Sequence, residues 1–449
     1  MIIELHNFGP IERFTFDTEK QMYFIFGENN VGKSYAISAV YLILKNWKKA
    51  METFHDYEIV DSDYLQVIEK LNSLKQEIDV TDEITTMATH FLIINAAFIE
   101  NLRNSFSNSF SSVEDLFNKY SRINFLIKIY NENFIFTLIL DNGSIYIDDF
   151  IINNKIVLIQ DENSKTSYSF NINRERLSLN LLNKDSLHFF KYTISYIIFE
   201  RDKRNDFYFL PASRSGLYNG LSAFSAIIVQ LSQLRSQIPN NKFEIPTLSE
   251  PNSDYFLNIS TINGKGYSTP FSNFAKKIED KIIKGKISFD KSDRKLYYEP
   301  EKLDLSLELS QASSMISEIA PIIAHLKFIL NNTDGTENFL FIEEPEAHLH
   351  PKIQVELMKL FAELAGNGLH IVMTSHSNYL FNKLSNMVLA KEIDPETISV
   401  CLMKMGKNGS YVDENAMQID EDGIDDDNFA DTAEELYSER LKLYEQNPS

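Results

Sequence analysis

Phe24-Ile25-Phe26-Gly27-Glu28-Asn29-Asn30-Val31-Gly32-Lys33-Ser34 fits the phosphate-binding pattern G-x-x-x-x-G-K-[ST] with no mismatch. The chemistry needs those residue types. Gly27 and Gly32 let the backbone turn tightly. N–H groups from Gly27 to Tyr35, with Asn29, Asn30 and Val31 between, then face phosphate oxygens. Lys33 reaches the β- and γ-phosphates, and the Ser34 hydroxyl is placed to ligate Mg²⁺. The flanks agree. Met22 to Phe26 is a short apolar run that reads as a buried strand. Val31 to Trp47 reads as a helix whose N-terminus adds its dipole to the anion site.

Composition narrows the surroundings of this loop. A chain of 449 residues predicts about two or three domains with a large core. The 43% hydrophobic content, rich in Phe and Tyr, fits a globular protein. No apolar run approaches the ~18–20 residues of a membrane span, and Met1-Ile2-Ile3-Glu4-Leu5-His6 lacks the basic and apolar regions of a signal peptide. One cysteine, Cys401, excludes an internal disulfide and a multi-cysteine zinc site, and a cytoplasmic location is expected. The net charge is −21, and 413–435 holds eleven acids and no Lys or Arg. This argues against a broad nucleic-acid surface. The best basic cluster, Lys276, Lys277, Lys281, Lys284 and Lys286, reads as a solvated helix face.

Along the chain, Ile2–Leu5, Ile11–Phe16 and Met22–Phe26 read as strands before the loop and its helix. Residues 51–122 read as mostly helical. From 123 to 172 the apolar period becomes two, and Phe134–Leu140 and Ser144–Phe150 flank the hairpin signal Asp141-Asn142-Gly143. A helix is expected over 186–201, a buried strand over Phe207–Leu210 and a loop over 249–269, where Asn, Ser, Gly and Pro are frequent. Ile287–Phe289 and Lys295–Tyr298 read as a small hairpin. The resulting division is a discontinuous head (1–50 and 206–412, with a lid at about 216–300), an inserted helical arm and β-meander (51–205), and an exposed acidic tail with a closing helix (413–449).

Phe339-Leu340-Phe341-Ile342-Glu343-Glu344-Pro345 is an apolar strand ending in two carboxylates, as a Walker B element requires. Glu343 is assigned to Mg²⁺ through water, and Glu344 to polarising the attacking water. Ile371 to His376 is a second buried strand, ending in a histidine that can touch the γ-phosphate. Ser313 and Ser314 stand at the start of a helix over Ile316–Leu330. They read either as plain caps or as donors to a phosphate from outside. Arg214 reads equally as a structural loop arginine or as a phosphate or partner sensor. The i, i+2 pair His348 and His350 fits a partner-facing turn better than a metal site.

Strand, P-loop, helix, long insertion, small-residue segment, Glu-Glu and switch His follow the order of the ABC-type ATPases of the SMC/RecF/OLD group, which the chain resembles. The likeness is greater to AAA-ATPase-like, OLD-related bacterial proteins. It is carried by Asn7-Phe8-Gly9-Pro10-Ile11, Phe209-Leu210-Pro211-Ala212-Ser213-Arg214-Ser215-Gly216, Ile342-Glu343-Glu344-Pro345-Glu346-Ala347-His348-Leu349-His350-Pro351 and Thr374-Ser375-His376-Ser377. The resemblance implies an α/β fold, an ABC-type P-loop ATPase head with a mixed sheet, interrupted by a helical plus antiparallel-β insertion. It implies ATP and Mg²⁺ as cofactors, with Glu344 and His376 catalytic. Ser313 and Ser314 lie where such ATPases carry their signature, so ATP would be sandwiched between two chains in a homodimer or higher oligomer. That segment lacks the usual Gly-Gly.

Relatives of this kind include ATPase subunits of the anti-phage systems Septu, PARIS and retron-linked modules, which implies an effector nuclease or toxin encoded nearby. A Toprim nuclease of the Gabija and OLD type needs about 100 residues after His376, more than 377–449 supply. An ATPase without its own nuclease is therefore expected. Two other readings stay open: a RecF- or SMC-like DNA-maintenance ATPase, and a nucleotide-bound scaffold with little turnover.

Overall fold

A computed structural model of the chain describes residues 1–54, 66, 69–70, 77–94, 96–110, 112–113, 116–141, 143–160, 167–172, 175–180, 193–194, 197–198, 204–220, 248–262, 270–330, 336–414, 416–420, 423–424 and 437–443. Of the helix expected over 186–201, only 193–194 and 197–198 fall within them, both helical; most of the expected closing helix and the acids of 425–435 lie outside them. The chain divides into two compact units, 1–18 with 39–205 and 19–38 with 206–449.

The second unit carries the P-loop. Its strands run in the order Arg204–Leu210, Thr336–Glu343, Leu369–Ser375, Met22–Gly27, Ile398–Gly406 and Gly409–Asp413. Leu369–Ser375 pairs in parallel with Thr336–Glu343 and with Met22–Gly27, which pairs in parallel with Ile398–Gly406. Gly409–Asp413 pairs antiparallel with Ile398–Gly406. Every residue of Met22–Gly27 is buried, as a parallel strand covered on both faces requires. The register aligns Glu343 with Thr374 and Ser375 with Phe26. Three parallel strands thus end level, and such a sheet binds ligands beyond those carboxyl ends. The helices that cover it include Ser314–Ala324, Pro351–Ala365 and Asn378–Leu389.

Three expectations are corrected in this unit. The loop expected at 249–269 contains the helix Glu250–Ser260. Pro251 occupies its first turn, where a missing N–H costs nothing. Tyr255, Phe256 and Ile259 are buried on its inner face, so apolar spacing overrides a polar composition. The helix expected over Ile316–Leu330 runs over Ser314–Ala324 and then widens into a π-helical turn, His325–Ile329. The acidic stretch after Asp413 is not simply exposed, because Ala416, Met417 and Ile424 join the core. The expected hairpin is present as Gly285–Asp290 and Lys295–Pro300, with Ile287 opposite Tyr298.

The first unit is antiparallel. Its strand order is Ile11–Asp17, Ile2–Phe8, Leu126–Tyr130, Phe134–Asp141 and Ser144–Ile152. A second sheet orders Glu175–Asn180, Ser167–Ile172, Val157–Gln160 and Glu77–Asp79. Aromatic side chains fill the core beside the helices Thr81–Ile94 and Ala96–Phe110. Phe8 meets Phe106, Phe110 and Phe125 with centroids 5.2–5.4 Å apart, and Trp47 packs edge-on against Phe98 at 5.6 Å. Such pairs add about 0.5–1.5 kcal/mol each beyond their area.

The π-helical turn holds a fully buried histidine. His325 Nδ1 is 2.8 Å from the Pro321 carbonyl, and its ring stacks on Tyr255. Burial pushes its pKa down to about 4, against about 6.5 in the unfolded chain. The unfolded state therefore binds the proton first. Stability is complete above pH ~6.5 and falls as the pH drops towards 4, by about 2 kcal/mol at pH 5. Urea unfolding at pH 8 and pH 5 measures this. His325→Phe is expected to flatten that part of the acid limb, and an undiminished acid loss in the variant would assign it to other groups.

Candidate functional site

The P-loop is built around two backbone demands. Gly27 has φ +145°, and a Cβ there would lie 2.4 Å from the Met403 carbonyl oxygen of the neighbouring strand. No other residue fits without moving that strand. Asn30 at φ +66° and Gly32 at φ +84° are left-handed, the kind of backbone from which anion nests are built. Glu28, Asn29, Asn30 and Ser34 are exposed, whereas Val31 and Lys33 are buried. Lys33 Nζ donates to the carbonyls of Gly27 at 2.9 Å and Glu28 at 2.7 Å. Burial pushes its pKa down to about 8, against the opposing pull of the Glu344 and Glu346 carboxylates. Tyr35 follows in the first turn of helix Lys33–Phe54.

The two acids at the end of strand Thr336–Glu343 differ in environment. Glu343 is buried; it hydrogen-bonds the Ser34 hydroxyl and accepts from Ala212 N at 3.3 Å. Burial raises its pKa, and the two hydrogen bonds oppose that. Glu344 is half-exposed, and its φ of +43° lies in the left-handed region. A non-glycine residue there costs of order 1–3 kcal/mol and is over-represented at functional sites. His376 stands between the loop and this acid. Its Nδ1 is 3.4 Å from Lys33 Nζ and its Nε2 is 3.4 Å from Glu344 Oε1. Lys33 can only donate, so Nδ1 accepts and the Nε2 proton faces Glu344.

Gly27 to Ser34, Glu343, Glu344 and His376 are therefore brought together. Ser34 and Glu343 form a hard two-oxygen set that suits Mg²⁺, which takes its remaining ligands from phosphate and water. Among the described residues, no group of three or more His, Cys, Asp or Glu could hold a metal by itself. His350 is instead the N-cap of Pro351–Ala365, its Nδ1 accepting from Lys352 N. His348 is exposed at φ +60°.

Ser313 and Ser314 are exposed at the start of their helix, and Ser313 makes no side-chain cap bond. Neither side chain bonds to the P-loop of its own chain. The expected basic face is dispersed. Lys277 pairs with Glu363, and Lys276 and Lys286 line a groove of about 870 Å³ that Glu279, Asp280, Glu299, Glu301 and Asp304 also line.

Sequence reasoning left one residue between two readings and passed over another. Arg214 is not a phosphate sensor: it is completely buried. Its guanidinium donates to the carbonyls of Pro211, Glu318, Glu343 and Glu344. Glu346, the third acid of Glu343-Glu344-Pro345-Glu346, turns back inside. Its Oε1 accepts from Ser375 Oγ at 2.8 Å and from His376 N at 2.7 Å, and burial raises its pKa. A third acid within four residues of a buried strand end was the available signal.

Residues 133–382, more than half of the chain, match the family described as "AAA domain, putative AbiEii toxin, Type IV TA system". The match takes in Arg214, Ser313, Ser314, both strand-end acids and His376. Structurally, the chain is similar to an SMC head bound to the C-winged helix domain of ScpA (10% identity, 92% of this chain and 95% of that one, TM-score 0.37). It is also similar to the SMC head domain from Thermotoga maritima (9%, 92% and 97%, 0.31). A third is an SMC head with an extended coiled coil bound to the C-terminal domain of ScpA, derived from Pyrococcus furiosus (11%, 98% and 98%, 0.36). No curated protein matches the chain.

Proposed function

We propose an ATP-driven dimeric switch for this chain, which belongs to the family described as AAA domain, putative AbiEii toxin, Type IV TA system. Its fold is the α/β, ABC-type P-loop head with a mixed sheet that the motifs implied. The observation that carries the proposal is the His376 ring, placed between Lys33 of the P-loop and Glu344 of the strand end.

The residues divide the work as follows. N–H groups of Gly27, Asn29, Asn30, Val31, Gly32 and Tyr35 receive the phosphates, and Lys33 leaves the Gly27 and Glu28 carbonyls for the β/γ oxygens. Mg²⁺, when bound by Ser34 and Glu343, neutralises charge on the β- and γ-phosphates. Glu344 accepts the proton of a water whose oxygen attacks the γ-phosphorus. The bond to the β-phosphate oxygen breaks, leaving ADP and phosphate. His376, whose Nε2 lies 3.4 Å from Glu344 Oε1, faces that acid before turnover and senses the occupied γ-position through its contact with Lys33.

The exposed, non-capping Ser313 and Ser314 support a contact to ATP held by a second copy. Closing and opening of that dimer would control an effector, a nuclease or toxin. Membership of a family described by a putative toxin and a Type IV TA system supports a place in a defence complex. Among the described residues, no helix is long and apolar enough to cross a membrane. Bulk charge of −21 disfavours the DNA-clamp alternative.

Phosphate release by the purified chain with ATP and Mg²⁺, together with sedimentation with and without ATP, tests the proposal. Saturable turnover and an ATP-dependent dimer are expected. Turnover no faster than that of Lys33→Ala would defeat the switch and leave a scaffold.

A further inference from the structure

The turn after the strand-end acids is fixed at both margins and clipped in the middle. Glu344 and His348, both with left-handed φ, bracket Pro345-Glu346-Ala347. From within that turn, one oxygen of Glu346 takes two hydrogen bonds from a different strand end, Ser375 Oγ and the His376 backbone N–H. Ser375 Oγ in turn accepts from Ser377 N at 3.0 Å. Ser377 caps the helix Asn378–Leu389, accepting from Tyr379 N and Leu380 N. One carboxylate oxygen therefore holds the whole passage from strand through His376 to helix. The other oxygen, Oε2, is buried with no hydrogen-bond partner. A buried acceptor without a partner is costly, so the site keeps this acid against a solvation penalty that an apolar residue would not incur.

We infer that Glu346 is a positioning residue for hydrolysis: it fixes His376 so that the ring spans Lys33 and Glu344. This rests on the ATPase reading above. The bonded oxygen of Glu346 is engaged by Ser375 and the His376 N–H, so it acts through the backbone of His376. The ring contacts are long, 3.4 Å on each side, so a small drift of the His376 backbone would break both. The clip also joins the ends of strands Thr336–Glu343 and Leu369–Ser375, so the acid that accepts the proton and the histidine that touches it move together.

The test compares Glu346→Ala with Glu346→Gln. Glutamine keeps a carbonyl oxygen for Ser375 and His376 N, whereas alanine keeps nothing. We expect Glu346→Ala to lower kcat about tenfold with KM for ATP within about twofold, because positioning enters the transition state more than binding. Glu346→Gln is expected to stay within about threefold of wild type. In the nucleotide-free protein, the ¹⁵N shifts of the His376 imidazole should move in the alanine variant and not in the glutamine variant. Ser375→Ala, which removes one of the two bonds, gives an intermediate kcat and keeps the test alive if Glu346→Ala fails to fold. Unchanged kcat and unchanged His376 shifts in Glu346→Ala would overturn the inference while leaving the ATPase reading intact. A glutamine variant as slow as alanine would also overturn it, because charge rather than the tether would then matter. A wild type without turnover overturns the ATPase reading and this inference with it.

Discussion

Glu344→Gln is expected to lower kcat for ATP hydrolysis by about 10²–10⁴-fold, the usual contribution of a positioned general base, with ATP affinity unchanged or slightly higher. That loss corresponds to about 3–5 kcal/mol on the barrier. The substitution is nearly isosteric. Its amide oxygen can still face His376 Nε2, and the backbone at φ +43° is asked to hold a side chain of the same length. What disappears is the ability to take a proton. Binding should survive because the groups proposed to receive the phosphates, Lys33 and the N–H groups from Gly27 to Tyr35, are untouched. Removing a negative charge near the γ-phosphate would if anything favour ATP, so ATP-linked dimers should persist longer. Phosphate release with parallel fluorescent-nucleotide titration reads both quantities. Wild-type turnover in the variant would assign the base elsewhere, and lost ATP binding would make Glu344 a structural residue. Glu343→Gln should differ in kind, weakening Mg²⁺-dependent ATP binding because Glu343 faces Ser34.

The parts of this site that the sequence disclosed are those specified by short-range pattern. Gly27 and Gly32 announce a backbone that only glycine can follow, and Phe339 to Ile342 announce a strand buried on both faces. The strand-end acids and His376 were legible because a carboxylate or imidazole directly after such a run has few places to go. The rest depends on partners distant in sequence. Arg214 stayed undecided between a structural arginine and a sensor because three of the carbonyls it holds belong to Glu318, Glu343 and Glu344, over a hundred residues away. Glu346 was hidden among charged neighbours, and its bonds run to Ser375 and His376. The helix Glu250–Ser260 was masked by Asn and Ser, residues whose side chains favour turns when nothing buries the opposite face. Tyr255 shows what does bury it, since its hydroxyl donates to the Arg214 carbonyl at 3.0 Å. Ala416, Met417 and Ile424 were hidden in the same way by the acids around them.

Arg214→Ala is expected to destabilise the head unit by about 3–5 kcal/mol, the cost of breaking a buried ion pair from one side. Arg214 is 0% exposed, and its partner Glu318 is 2% exposed. Nε lies 3.3 Å from Glu318 Oε2, a contact whose angle is too poor for a hydrogen bond. The firm bonds are those to the Glu343 carbonyl at 2.7 Å, the Pro211 carbonyl at 3.1 Å, and the Glu318 and Glu344 carbonyls at 3.2 Å. Burial lowers the guanidinium pKa, and the Glu318 carboxylate opposes this; arginine stays charged even so. Alanine would leave the Glu318 carboxylate buried without its counter-ion and the strand-end carbonyls unsatisfied. Lysine, a single point donor, could replace only part of a planar fork. Adding Glu318→Gln to Arg214→Ala should recover about 1–3 kcal/mol, since the pair is coupled and the worst consequence of the first change is the stranded charge. Urea midpoints of the wild type, both single variants and the double variant give this cycle directly. A loss below about 1 kcal/mol in Arg214→Ala, or strict additivity in the double variant, would contradict it. Glu318 sits on the helix that begins at Ser314, and Arg214 holds the carbonyls of Glu343 and Glu344. Any displacement of Ser313 and Ser314 by a second copy's nucleotide would therefore reach the strand-end acids through one buried side chain, and the same variants that weaken the fold should uncouple turnover from dimer formation.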